Sequence, residues 1–70
     1  MRILKVLRTI KGEKQDDLAR KTGISQPRIS LLENGHRQPT ERELTALAEA
    51  LGTEPRFLSR EISATTLLVV

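Results

Sequence analysis

Residues 15–39 read QDDLARKTGISQPRISLLENGHRQP, and this stretch decides the fold. Leu18 lies in a short helical pattern that ends at Gly23, a residue type that readily adopts the left-handed backbone of a tight turn. Ser25 is a good N-cap for a second pattern, and Pro27 falls in its first turn, where a missing N–H costs nothing. The stretch therefore predicts two short helices joined by a glycine turn, which is the helix-turn-helix motif.

Helical signals continue on both sides of this stretch. The preceding residues carry an apolar pattern at helical spacing that stops at Gly12, formed by Ile3, Leu4, Leu7 and Ile10. After it, Thr40 and Glu43 form a capping box for a fourth helix, and Gly52 ends that helix. A fifth, short helix is predicted to start near Pro55. The predicted fold class is all-α, a compact five-helix bundle that contains a helix-turn-helix.

The composition excludes several classes of function. A chain of 70 residues has room for one domain. It has no Cys and one His, which excludes disulfides, thiolate sites and histidine metal clusters, so we expect no metal and no cofactor. A single Phe, with no Trp or Tyr, argues against single-strand binding by base stacking. The sequence has no apolar run long enough to span a membrane and no signal peptide, so we expect a cytoplasmic protein without membrane contact.

The charge is unevenly distributed along the chain. Residues 1–39 hold nine basic and four acidic side chains, net +5, whereas residues 40–70 hold three basic and five acidic ones, net −2. A basic first half is typical of a protein with one face for a polyanion. An ordinary solvated surface can give the same count, so charge alone leaves both interpretations open.

The stretch 15–39, together with the helices around it, resembles the Xre/Cro family of helix-turn-helix regulators, which includes the lambdoid phage repressors and Cro proteins. The resemblance covers roughly residues 1–60, and such a long spaced pattern is far more specific than a short motif. It implies a lambda-repressor-like DNA-binding domain whose second motif helix enters the major groove. The alternative is a helix pair that only packs, or a member that has lost DNA binding.

Base readers are expected on the outward face of the second motif helix. With its apolar positions facing the core, a turn of about 100° per residue presents the others to DNA. The expected base-reading residues are Gln26, Pro27, Arg28, Ser30 and Leu31. Gln26 suits adenine, and Arg28 suits guanine or a phosphate. Pro27 and Leu31 offer only apolar contact with a thymine methyl group, and for Leu31 a side chain bent onto the core or meeting another protein is left open.

Phosphate contacts are implied at the helix ends of the motif. In the family, the glutamine that starts the first motif helix meets the DNA backbone, and here it is Gln15. The expected phosphate-contacting residues are Lys14, Gln15, Ser25, Asn34, His36 and Arg37. Lys14 cannot cap its helix, so that terminus is expected to rely on phosphate. The resemblance also implies a structural ion pair, with Arg8 of the first helix bound to Glu33 of the third.

The last nine residues, ISATTLLVV, differ from the rest of the chain. They carry no charge and are rich in β-branched side chains, which favours a short β-like tail without a partner strand in the monomer. We therefore divide the chain into a DNA-binding domain, residues 1–61, and an apolar tail, residues 62–70, as a possible dimerisation strand. The expected dimer contacts are Ile62, Thr66, Leu67, Leu68, Val69 and Val70. A disordered end and insertion into a partner protein are the alternatives.

The function that this pattern predicts is sequence-specific binding to double-stranded DNA. The protein is expected to be a transcriptional regulator, a repressor that binds a two-fold operator as a homodimer. The alternative is the antitoxin of a toxin–antitoxin module, which binds its own promoter and a toxin. An enzyme is not expected, because the sequence has no paired carboxylates, catalytic triad or metal-ligand spacing.

Overall fold

A computed structural model of the chain describes residues 1–59. It contains four complete helices: α1 (Arg2–Ile10), α2 (Gln15–Thr22), α3 (Gln26–Glu33) and α4 (Glu41–Leu51). A fifth helix, α5, starts at residue 55 and runs to residue 59, the last one described. No strand occurs within this range, so the prediction of five helices is confirmed. The predicted β-like tail, its dimer contacts and the domain boundary after residue 61 lie outside the described residues.

The helix boundaries follow from local capping signals that the sequence displays. Gly23 ends α2 with φ 75°, and Gly52 ends α4 with φ 69°, both in the left-handed region that favours glycine. The Ser25 hydroxyl accepts a hydrogen bond from the backbone of the first turn of α3 at 3.3 Å. Thr40 and Glu43 form the predicted capping box, with bonds of 2.9 and 3.1 Å. These predicted caps are therefore confirmed.

The start of α2 is closed by an acidic residue rather than by its N-cap residue. Lys14 occupies the N-cap position, where its ammonium group can only donate. The Asp17 carboxylate, three residues later, accepts the backbone N–H of Lys14 at 3.0 Å, which is the returning half of a capping box. This hydrogen bond lowers the pKa of Asp17 below its usual range. A carboxylate of the chain itself thus supports the terminus that was expected to rely on phosphate.

The core contains buried side chains from all five helices and from Met1. Its buried members are Met1, Leu4, Leu18, Ile29, Leu32, Leu47, Ala48, Leu51 and Leu58. Each fully buried leucine or isoleucine contributes about 1.5–3 kcal/mol relative to an exposed one. Ile24, in the turn of the motif, packs against this core. Ile10 is 74% exposed, so the apolar stripe of α1 ends one turn earlier than its sequence pattern indicates.

The packing of α3 positions the surface described below. The helix α3 packs against both α1 and α2, while α2 also packs against α4.

Within residues 1–59, no helix has the length and apolar character needed to cross a bilayer.

Candidate nucleic-acid interface

The helix α3 is fixed along its inner side by buried side chains. Ile29 and Leu32 are both fully buried in the core. Glu33, at the end of the same helix, is 7% exposed and is held by polar partners. Because three inner positions are anchored, the outer positions of this eight-residue helix have a defined orientation.

The outer side of α3 presents most of the expected base readers to solvent. Gln26 and Pro27 are exposed in the first turn, and Ser30 is half-buried one turn later. Leu31 is 38% exposed, which leaves its side chain on the surface rather than in the core. The structure therefore places a mixed polar and apolar strip along the outer side of this helix.

Asn34 closes the end of α3 with its own side chain. Its amide Nδ2 donates to the carbonyl oxygen of Ser30 at 2.8 Å and lies 3.4 Å from the Ser30 hydroxyl. The same carbonyl oxygen also accepts the backbone N–H of Asn34 at 3.1 Å, so the side chain adds a second hydrogen bond at this helix end. Asn34 is exposed, as a phosphate contact requires, but its amide already has this structural use.

The loop that follows α3 carries two further exposed candidates for phosphate contact, His36 and Arg37. The backbone N–H of His36 donates to the carbonyl of Leu31 at 2.9 Å, which holds the loop against the last turn of the helix. The Arg37 guanidinium donates to the carbonyl of His36 at 3.1 Å. The loop thus brings a cationic side chain next to the end of α3.

The start of α2 carries the remaining phosphate candidates. Lys14 is exposed, and its neighbour Gln15 is half-buried. The Gln15 amide Nε2 donates to Glu33 Oε1 at 2.9 Å, so the orientation of Gln15 is set by a buried carboxylate of α3. Asp16 and Asp17 lie in the same first turn and lower its attraction for an anion.

The pair of Arg8 and Glu33 joins α1 to α3. Arg8 Nε lies 2.6 Å from Glu33 Oε2, and Arg8 Nη2 lies 3.2 Å from Oε1, with 13% and 2% of the side chains exposed. A third donor, Arg8 Nη1, binds the carbonyl of Glu13 at 2.9 Å. Burial raises the pKa of the Glu33 carboxyl, but hydrogen bonds from Arg8 and Gln15 outweigh it, so the pKa is lowered overall.

Arg28, which the sequence predicts to be a base reader, is paired with another side chain of the protein. Its Nε and Nη2 donate to the two carboxylate oxygens of Glu43 on α4, at 2.9 and 2.8 Å. Its Nη2 also donates to the carbonyl of Gln38 at 3.1 Å. The hydrogen bonds from Arg28 are the main reason that the pKa of Glu43 falls to about 2.

A family model described as helix-turn-helix matches residues 4–58 of the chain. The chain belongs to this family. The match corresponds to the Cro/C1-type, Xre-like helix-turn-helix, a family of DNA-binding regulatory domains. Comparisons with curated proteins and with solved structures give no match.

As a helix-turn-helix protein, the chain combines expected and unexpected contacts around its motif. The structure brings Arg8, Gln15 and Glu33 into one network, and the resemblance pointed to two of these residues as a pair. The link from Arg28 to Glu43 was missed, because opposite charges fifteen residues apart carry no local signal. The sequence alone predicts only a capping role for Glu43.

Proposed function

We propose that the protein is a sequence-specific regulator of transcription that represses a promoter by occupying an operator in double-stranded DNA. The observation that carries this proposal is the exposed outer side of α3, with Gln26, Pro27 and Leu31 at the surface of a helix whose inner side is buried. An anchored helix with an exposed face has the form that the major groove admits. Membership of a DNA-binding family supports the same conclusion.

The proposed contacts divide into two groups. Gln26, Ser30, Pro27 and Leu31 meet base edges, through amide and hydroxyl hydrogen bonds or apolar contact with thymine methyl groups. The phosphate contacts come from Lys14, Gln15, Ser25, Asn34, His36 and Arg37. These side chains lie at the starts of α2 and α3 and in the loop after α3. The backbone N–H groups at the start of α3 and the cationic side chains of Lys14 and Arg37 favour phosphate.

A dimer completes the proposal. One α3 covers too few base pairs for useful specificity, and two-fold related helices read half-sites about 34 Å apart. We assign this pairing to residues 62–70, with residues 1–61 as the DNA-binding domain. The tail is uncharged and apolar in sequence, and burial between two copies would remove that surface from water.

Selection from a pool of random duplexes tests the DNA-binding proposal. The full chain is expected to enrich duplexes with two related half-sites, and its affinity should fall steeply between about 50 and 200 mM salt. Enrichment of no sequence, or equal binding to selected and scrambled duplexes at every salt concentration, would show that the protein does not read sequence.

The dimer is tested in the full chain by light scattering and operator binding. Replacing Leu67 and Val69 together by Asp is expected to give a monomer with weaker operator binding, because buried like charges oppose association. Ser63→Asp is the matched control, since it places an acidic charge in the same segment at a residue outside the proposed contacts. A doubly substituted protein that remains a dimer would show that the helices, rather than the tail, form the interface.

A further inference from the structure

Arg28 and Glu43 link the proposed recognition helix to the start of the next helix. Two parallel hydrogen bonds, of 2.9 and 2.8 Å, join the guanidinium group to both carboxylate oxygens. The side chains are 30% and 17% exposed, so water competes little for the carboxylate. Paired bonds of this kind combine strength with a fixed geometry.

The carboxylate that Arg28 binds is itself fixed. Glu43 Oε1 accepts the backbone N–H of Thr40 at 2.9 Å, and the Glu43 backbone N–H donates to the Thr40 hydroxyl at 3.1 Å. Arg28 also reaches the carbonyl of Gln38 at 3.1 Å. One arginine therefore ties the far end of the loop and the start of α4 to the outer flank of α3.

The near end of the same loop is tied to α3 as well. The backbone N–H of His36 binds the carbonyl of Leu31 at 2.9 Å. Between these two attachments lies Arg37, exposed and cationic. The position of its guanidinium relative to α3 consequently depends on both attachments, one of which is Arg28.

We propose that Arg28 is a positioning residue, which sets the loop of His36 and Arg37 against the DNA backbone and does not itself read a base. The proposal deepens the DNA-binding function above and rests on it. If Arg28 bound a guanine instead of Glu43, the partly buried Glu43 carboxylate would lose its cationic partner. Its negative charge would then lie unpaired on the side of the protein that faces phosphates. Keeping the pair intact avoids that repulsion.

A cycle of substitutions separates positioning from direct contact. In the full chain, Arg37→Ala is expected to lower affinity for the selected duplex about tenfold at low salt and to reduce the salt dependence by about one phosphate. In the Arg28→Ala background the same change should lower affinity less than about threefold, because the loop is already displaced. Arg56→Ala on α5, where the side chain is 87% exposed, is the control for the loss of one positive charge.

Base preference supplies a second readout. Selection with Arg28→Ala is expected to return the same preferred bases as the native chain, with weaker binding throughout. Fully additive losses from Arg28→Ala and Arg37→Ala, or a changed preference at one base pair after Arg28→Ala, would overturn the proposal and make Arg28 a direct DNA contact.

Measurements on the free protein make failure of this proposal distinct from failure of the DNA-binding function. In Arg28→Ala, backbone order parameters at residues 36–38 should fall from about 0.85 towards about 0.6, while Arg56→Ala leaves them unchanged. Unchanged order in Arg28→Ala would refute the positioning role whether or not DNA is bound. If the native chain selects no duplex, the DNA-binding function fails, and with it the positioning role on DNA.

Discussion

Arg8 donates two hydrogen bonds to Glu33, 25 residues later in the chain, and the side chain that receives them is 2% exposed. The two bonds, of 2.6 and 3.2 Å, attach α1 to the end of α3. Gln15 adds a third donor from the first turn of α2, at 2.9 Å. A single buried carboxylate therefore joins three helices at the point where the motif meets the rest of the domain.

Removing either partner of this pair is expected to destabilise the domain strongly. Arg8→Ala leaves a buried carboxylate without its cation, and such a change costs about 3–5 kcal/mol in the free energy of unfolding. Denaturant unfolding measures it, with Arg20→Ala, an exposed arginine of α2, as the control. The double variant Arg8→Ala/Glu33→Ala should lose less than the sum of the two single changes. Additive losses would mean that the two side chains act independently.

Acid should weaken the attachment of α4 to α3 through Glu43. Its pKa is near 2 in the folded protein, below the ordinary value of 4.5, so the unfolded chain takes up the proton first as pH falls. The stabilisation is fully present above about pH 4.5 and is lost progressively as pH falls towards about 2. The difference in unfolding free energy between native protein and Glu43→Gln should shrink across this window, whereas Glu41→Gln serves as a control at an exposed site. A difference that stays constant with pH would contradict the Arg28 pairing.

A side chain at Gly23 is expected to lower the free energy of unfolding, although space for a Cβ is available. Nothing lies within 4 Å of where its Cβ would stand, but its φ is 75°. Gly23→Ala should lower the free energy of unfolding by about 1–2 kcal/mol from the backbone alone. Gly23→Asn should cost less, because asparagine adopts the left-handed region more readily. Thermal or denaturant unfolding distinguishes the two, and equal losses would point to a steric cause instead.

Base readout and phosphate contact should respond differently to substitution. Gln26→Ala is expected to lower operator affinity by about 1–3 kcal/mol and to relax the preference at one base pair. Arg37→Ala should weaken binding to all sequences alike and reduce the salt dependence. Competition between selected and scrambled duplexes separates the two effects. A uniform loss from Gln26→Ala would assign that residue to the DNA backbone.

The helices could be predicted from the sequence because their ends depend on nearest neighbours. Gly23 and Gly52 end helices through their own backbone, and Ser25 and Thr40 cap helices within three residues. Such signals lie within short stretches of chain and can be recognised without knowledge of the tertiary structure. Ile10 shows the limit, since apolar spacing alone did not reveal that the last residue of α1 is exposed.

The site was harder to predict, because it depends on partners that are distant in sequence. Gln26 and Leu31 are exposed simply because the helix turns them away from the core. Arg28 lies on the flank of α3. Whether its side chain binds the protein or DNA depends on Glu43, a residue of another helix. No periodicity within α3 contains that information.

The separation of inner and outer positions on α3 has a consequence for engineering. Ile29, Leu32 and Glu33 make the contacts that hold the helix, and none of them belongs to the exposed strip. Gln26, Ser30 and Leu31 are therefore interchangeable as far as folding is concerned, whereas Pro27 fixes the first turn and Arg28 holds Glu43. New outer side chains, grafted onto the same inner set, should give a family of stable proteins that differ only in which sequences they prefer.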